Sequence, residues 1–162
     1  MKALIIYDSF FGNTEQIALA IGHSIGNKEE VGMMRVGDVH YDMLKGLELL
    51  VVGSPTRQFS PSPATQRFLN GIPSNGLQGL EVAAFDTRIA VADIQSKILR
   101  FIVNTGGYAA KSIAKKLVQK GGKLVQDPVG FFVKDKEGPL YEGELERAEM
   151  WGEALVKSKV PA

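Results

Sequence analysis

Cysteine is absent from the 162 residues of this chain. That absence removes disulfides, thiolate metal ligands and a cysteine nucleophile, and makes a cytoplasmic location the default expectation. Long apolar runs are missing too. No stretch approaches the roughly 20 residues that a membrane-spanning helix needs, and the N-terminus enters a strand pattern without the charged-then-apolar layout of a secretory leader. No membrane partner is therefore expected. Neither sign of charge dominates: 19 Lys and Arg stand against 18 Asp and Glu, for a formal net charge of +1. Only Lys111, Lys115 and Lys116 cluster, at a helical spacing that reads as a solvated face. A nucleic-acid binder needs a denser basic stripe interleaved with aromatics, so that class of partner is not expected. Internal repeats, linkers and low-complexity segments are also lacking. At 44% hydrophobic and 23% charged residues, the chain reads as a single domain over 1–162 with a sizeable core.

The hydrophobic pattern alternates between two periods. Residues 2–8 are almost continuously apolar and β-branched in the middle, as a central parallel strand requires. Residues 14–26 predict a helix, stopped at Gly26-Asn27, and Val31 to Val36 a weaker outer strand in which Met33 and Met34 serve packing. Residues 38–46 predict a short amphipathic helix with Asp38 as N-cap. Leu47 to Gly53 reads as a fully buried strand, followed by Ser54–Pro63, a loop too rich in Pro and Ser to continue any ladder. A helix over 64–71 and a loop over 72–79 lead to a further buried strand, Leu80 to Phe85, ending at Asp86-Thr87-Arg88. Ile94, Ile98, Phe101 and Ile102 predict a short helix near 93–103, and after Gly106-Gly107 comes a clear helix over 108–120. Lys123–Val125 and Val129–Val133 form one last strand bent near Pro128, and a helix over 143–158 turns Trp151 and Leu155 inward. Strands alternating with helices give a doubly wound, five-stranded parallel sheet with helices on both faces.

The stretch that organises this pattern is Ser9-Phe10-Phe11-Gly12-Asn13-Thr14, between the first strand and the first helix. A strand that ends in a short Gly- and hydroxyl-bearing loop and then starts a helix aims free N–H groups, and the positive end of the helix dipole, at one point. Such a point suits a phosphate. No Lys or Arg lies in the loop, so the donors are neutral: backbone amides, the hydroxyls of Ser9 and Thr14, and the Asn13 amide. The missing Gly-Lys-Ser/Thr ending excludes the nucleotide-triphosphatase loop. The same residues also suit a plain helix start, with Asn13 or Thr14 as N-cap and Gly12 as turn residue.

Ser9, Gly12, Asn13 and Thr14 resemble, residue by residue, the Ser/Thr-x-Thr-Gly-x-Thr phosphate loop of the flavodoxin family; Phe11 stands where that family has a hydroxyl. The resemblance covers essentially the whole chain. It implies a flavodoxin-like α/β fold with strand order 2-1-3-4-5, FMN as cofactor, and a site at the switch between strands one and three; flavodoxin is itself the standard illustration of that placement rule. It also implies that Gly53-Ser54-Pro55-Thr56-Arg57 flanks the flavin, with Pro55 fixing the backbone and Thr56 offering an N–H or hydroxyl to the ring. Phe59 would cover the ring, Asp86 and Thr87 would bind its pyrimidine edge, and Arg57 and Arg88 would place positive charge beside it. Phe59 plugging the core, and Asp86 pairing with Arg88 at the surface, are the bland readings of the same residues.

One departure stands out. Residues 87–106 intervene where the family has a short loop with an aromatic stacker, so either Phe59 stacks or the segment brings Phe101 or Tyr108 over the ring. The implied function is electron transfer by an FMN carrier, with no catalytic acid or nucleophile of its own. Its partners would be a flavin reductase or ferredoxin-like donor and an acceptor the sequence does not identify. An NAD(P)H-dependent FMN or quinone reductase of the same fold is the alternative. A response-regulator receiver domain is excluded because Gly53-Ser54-Pro55 occupies the place of its phosphoacceptor Asp.

Overall fold

The computed structural model describes residues 1–27, 30–90 and 108–157. Six parallel-paired strands make one sheet: β1 (Ala3–Tyr7), β2 (Val31–Arg35), β3 (Leu49–Pro55), β4 (Glu81–Ile89), β5 (Lys123–Leu124) and β6 (Val129–Val133). Their order is β2-β1-β3-β4-β5, with β6 also pairing β4. β5 lies along Glu81 and Val82, and β6 along Phe85 to Ile89, so the two are halves of the single bent strand expected around Pro128. The helices are α1 (Asn13–Ile25), α2 (Pro63–Gly71), α3 (Ala109–Gln119) and α4 (Glu144–Lys157). The expected fold class and strand order are thus present. The helix expected near 93–103, including Phe101, lies outside the described residues.

Side-chain alternation along the strands divides the core in two. Leu4, Ile6, Leu50, Val52, Val82 and Ala84 face α2 and α3, where they meet Phe68, Leu69, Ile113 and Leu117. Ala3, Ile5, Val51, Ala83 and Phe85 face α1 and α4 and meet Ile17, Ile21, Ala148 and Leu155. Phe85, Phe131 and Trp151 close that second layer with edge-on ring pairs at 6.2, 6.3 and 6.5 Å, so Trp151 is a core anchor, as its position in the helix predicts. α1 and α4 approach closely because residue 152 is glycine: a Cβ there would lie 2.9 Å from the Ile21 carbonyl oxygen.

Three expectations are corrected. The segment 38–46 forms no α-helix; it crosses to β3 in two 3-10 turns, Val36–Asp38 and Tyr41–Leu44, and Asp38 ends the first turn instead of capping a helix. Gly37 and Gly46 weaken helix formation there, while burial of Val36 and Leu44 fixes the crossing. The ladder of β3 does not stop at Gly53 but continues through Ser54 and Pro55 opposite Asp86 and Thr87. β1 has ended opposite Gly53, so Pro55 sits on a locally free edge where its missing N–H goes unneeded. Likewise Asp86-Thr87-Arg88 is strand, not loop, because β6 supplies a second partner along Phe85 to Ile89. Among the described residues no helix is long and apolar enough to cross a membrane.

Candidate functional site

All strands being parallel, the loops after β1, β3 and β6 rise from the same carboxyl-terminal rim. At the first of them the chain turns on Gly12, whose φ of 91° lies in the left-handed region, and α1 begins at Asn13. Neither Asn13 nor Thr14 caps the helix; Gly12 is the N-cap and no side chain bonds there. The Ser9 hydroxyl does the holding from inside the turn, accepting the Gly12 N–H at 3.1 Å and, at a longer 3.4 Å, that of Glu15. Asp8 accepts the Ser9 N–H at 2.9 Å. Among the described residues, the N–H groups of Phe10, Phe11, Asn13 and Thr14 meet no acceptor. Amides of this kind favour an anion.

The outer side of the loop is braced by a residue that sequence reasoning missed. Arg35, at the end of β2, donates to the Ser9 carbonyl oxygen at 3.1 Å and to Glu15 at 2.8 Å, and its guanidinium lies 5.5 Å from the centre of the Tyr7 ring. The Tyr7 hydroxyl donates to the same Glu15 carboxylate at 3.1 Å. Burial, and then the hydrogen bond and charge of Glu15, raise the Tyr7 phenol above its ordinary value. The inner side is tied to β4: the hydroxyls of Thr14 and Thr87, both buried, lie 2.8 Å apart.

Asp86 is held by partners within the protein. It is fully buried and accepts Nε and Nη2 of Arg88, both at 2.7 Å, and the Ala110 N–H at 2.8 Å. Burial pushes its carboxyl above the ordinary range, against the opposing pull of Arg88, the Ala110 amide and the Thr56 hydroxyl. The pair is therefore interior, not the surface pair allowed by the sequence. The Arg88 guanidinium lies over Tyr108, 3.9 Å from the ring centre, and the Tyr108 hydroxyl donates to the Ile89 carbonyl. Thr56 is equally occupied: its N–H donates to the Thr87 carbonyl oxygen and its hydroxyl accepts the Ala109 N–H. Asp86 and Thr56 thus anchor the first turn of α3 to the rim. Thr56 also lines the cleft described below, whereas Asp86 lies behind it.

The residues that do converge are Ser9, Phe10, Phe11, Asn13 and Thr14 from the first loop, Pro55, Thr56 and Arg57 from the second, and Thr87 and Arg88 from β4. They line an inner cleft of about 90 Å³ together with Ile89, Val133 and Lys136, which sequence reasoning missed. The signal for Lys136 was topological only, since the turn after the last parallel strand must emerge at this rim. The Asn13 side-chain amide donates to the Glu137 carbonyl oxygen at 3.1 Å, holding that turn against the first loop. Ser54 is fully buried below the cleft, where its hydroxyl accepts the Ser62 N–H.

Phe59 does not line the cleft. It occupies a tight turn with Gln58, both at positive φ, closed by paired backbone bonds between Arg57 and Ser60. Phe10, half exposed, is the aromatic at the mouth, and the Arg57 guanidinium stacks on it at 4.7 Å. That stacked pair borders both the inner cleft and an outer cavity of about 450 Å³, lined also by Gln58, Ser60, Pro61 and Gln66. The inner cleft is well below the roughly 300–1,000 Å³ typical of small-molecule sites, whereas the outer cavity falls within it. Among the described residues, neither is lined by a carboxylate, while Arg57, Arg88 and Lys136 all reach the inner one.

Neither a protein-family model nor a curated protein matches the chain. Solved structures do. The chain is similar to a flavodoxin from the domain Archaea, at 28% identity and a TM-score of 0.75 over 98% of both chains. It is also similar to oxidised Flavodoxin 2 from Bacillus cereus, at 21% identity and a TM-score of 0.75 over 98% of this chain and 99% of that one. A flavodoxin, WrbA-like protein from Agrobacterium tumefaciens matches at 16% identity and a TM-score of 0.72, over 97% and 96%. At these identities the latter two bear on the fold alone.

Proposed function

We propose that this chain, whose fold is flavodoxin-like, binds FMN at the rim of its sheet and carries electrons between redox partners. The observation that carries the reading is the set of unanswered amides at Phe10, Phe11, Asn13 and Thr14, converging at the start of α1. A phosphomonoester suits that set: it accepts several N–H bonds at once and gains from the helix dipole. The Ser9 hydroxyl, its oxygen already accepting two amides, keeps its proton to donate, and Lys136 adds a full charge to the same cleft. The end-to-end match to the archaeal flavodoxin supports the same cofactor.

Volume decides which residues would meet the ring. The inner cleft takes the phosphate end, and the outer cavity has room for a planar ring system, so Phe10 and Arg57 are its neighbours. FMN supplies the one- and two-electron chemistry. The chain's own contribution is to hold the phosphate, to cover the ring and to set the charge around it. Arg88 is neutralised by Asp86, whereas Arg57 has no carboxylate partner among the described residues and favours negative charge accumulating beside it. A flavin reductase or ferredoxin-like protein is the donor in this reading, and the cysteine-free chain works in the cytoplasm.

Titration of the purified chain with FMN and with riboflavin, followed by flavin fluorescence, tests the reading. FMN is expected to bind at least about 100-fold more tightly, the equivalent of two charge-assisted hydrogen bonds. Equal affinities would remove the phosphate from the account. Rapid reduction of the bound flavin by NADPH alone would replace the carrier with the reductase.

A further inference from the structure

We propose that the outward face of α3, with the groove between α2 and α3, docks an acidic protein beside the rim. The electron-carrier reading gives that partner its redox character; the docking surface stands without it.

The near-zero net charge conceals two opposed faces. α2 and α3, packed on one side of the sheet, carry Arg67, Lys111, Lys115 and Lys116 and no Asp or Glu. On the other side, α1 and α4 carry Glu15, Glu144, Glu146, Glu149 and Glu153 against Arg147 and Lys157. A solvated helix face ordinarily pairs its lysines with glutamates one turn away, but α3 offers none. Lys111 and Lys115 instead repeat at i and i+4 with Val118 at i+7, and Val118 is left 48% exposed among them. Among the described residues, no carboxylate pairs with Arg67, Lys111, Lys115 or Lys116. Asp42, on the neighbouring 3-10 turn, is answered by Lys45 at 3.3 Å.

Between the two helices runs a groove of about 220 Å³, with Pro61, Leu69 and Lys116 among its residues and Gln66, Asn70 and Ser112 as its polar groups. Among the described residues it too has no carboxylate in its lining. The groove shares Pro61 and Gln66 with the outer cavity, which shares Phe10 and Arg57 with the inner cleft. Among the described residues, one track without a carboxylate therefore joins the helix face to the proposed cofactor site. The first turn of α3 is bonded to Thr56 and Asp86 at the rim, and Ser112 and Lys116 of the same helix line the groove.

The Lys111–Lys115–Val118 stripe lies outside the groove, so the footprint exceeds a small molecule. The aromatics beside this face are already engaged: Phe68 is buried, Tyr41 stacks on it and bonds its carbonyl oxygen, and Phe10 carries Arg57, which favours a protein over a nucleic acid. Acidic side chains around an apolar centre match a basic stripe with Val118 in its middle.

An oxidised, acidic [2Fe–2S] ferredoxin serves as probe, with binding to the full-length chain followed by NMR line shifts at low and high salt. The expected result is binding at low salt that fades once the Debye length falls below about 10 Å, with shifts on α2 and α3. Lys111→Glu/Lys115→Glu should weaken it about tenfold or more, the milder Lys111→Ala/Lys115→Ala less, and Glu149→Lys on the opposite face not at all. No binding at low salt, or binding indifferent to the lysine variants, overturns the proposal. So does tighter binding of duplex DNA to the same face. The measurement is made with and without FMN. Failure of the chain to take up FMN would sink the cofactor reading while leaving the docking result legible.

Discussion

Replacing Asp86 by Asn should destabilise the fold far more than the loss of one ordinary hydrogen bond. The carboxylate is fully buried and accepts three bonds of 2.7, 2.7 and 2.8 Å, two from the Arg88 fork and one from the first turn of α3. An amide of the same shape has one acceptor atom where the site supplies donors on both sides. Its NH2 group must face either Nε of Arg88, at the Oδ1 position, or both Nη2 of Arg88 and the Ala110 N–H, at the Oδ2 position. The Arg88 charge, with 19% of its side chain exposed, then loses its counter-ion. Breaking one partner of a buried pair costs about 3–5 kcal/mol. In a domain of this size each kcal/mol is worth roughly 2–4 °C in Tm, so the fall should be about 6–20 °C.

Urea unfolding of the flavin-free chain at neutral pH measures this directly, and a cycle with Arg88→Met separates the pair from its parts. Burial already raises the Asp86 carboxyl, so the ionised pair is held at a cost, and removing both charges should restore much of what Asp86→Asn loses. The sign in pH follows. A carboxyl raised in the folded state binds its proton more readily there, so its ionisation subtracts stability as pH rises through the folded pKa, and Asp86→Asn abolishes that slope. A loss below about 1 kcal/mol, or an Arg88→Met background in which Asp86→Asn costs as much as before, would refute the buried-pair account.

Gly12→Ala should cost about 1–2 kcal/mol by urea unfolding and weaken FMN binding by titration, because φ is 91° while the space around the missing Cβ is open, leaving conformation as the sole penalty. Glu144→Gln should flatten the acid limb of the stability curve. Burial alone would raise the Glu144 carboxyl, but Arg147 and the Phe132 N–H outweigh it and hold it below its ordinary value. Its stabilising contribution is therefore full above the unfolded carboxylate pKa and lost as pH falls through the lower folded one, which thermal scans across that limb would show. Arg57→Ala should lower the midpoint potential of bound flavin by on the order of 30–60 mV, since a partly solvated cation beside the ring favours electron uptake; an unchanged potential in a redox titration would place Arg57 away from the ring.

Local chemistry made some of this legible and pairing hid the rest. The Ser9–Thr14 loop could be read because strand, glycine and helix follow within a few residues, and the bonds that shape it are local. Asp86-Thr87-Arg88 could not be read as strand, because what extends β4 is β6, and nothing near residue 86 announces Val129–Val133 as its neighbour. The same non-local cause misled at Pro55: a proline ends a ladder only where its N–H is wanted, and that depends on β1 stopping opposite Gly53. Phe59 looked like a ring cover by sequence distance, yet the positive φ of Gln58 and Phe59 turns the chain back on itself and leaves the mouth to Phe10 and Arg57.

Charge shows the same division between sum and arrangement. A net charge of +1 argues against strong electrostatic recognition only if the charges are mixed. Here they are sorted by the sheet. α2 and α3 contribute only cations, beside Asp38 and Asp42 of the 3-10 turns on that side, α1 and α4 contribute mostly carboxylates, and among the described residues the rim between them carries Arg57 and Lys136 with no acid in its lining. Alternating crossover helices decide which charges share a face, so composition cannot report it. A surface sorted this way attracts an acidic partner to one side and holds it in register with the cleft, because the first turn of α3 is bonded to the residues that frame that cleft. Moving Lys111 and Lys115 to the α4 face would keep the net charge at +1 and, on this reasoning, weaken docking at least as much as Lys111→Ala/Lys115→Ala does.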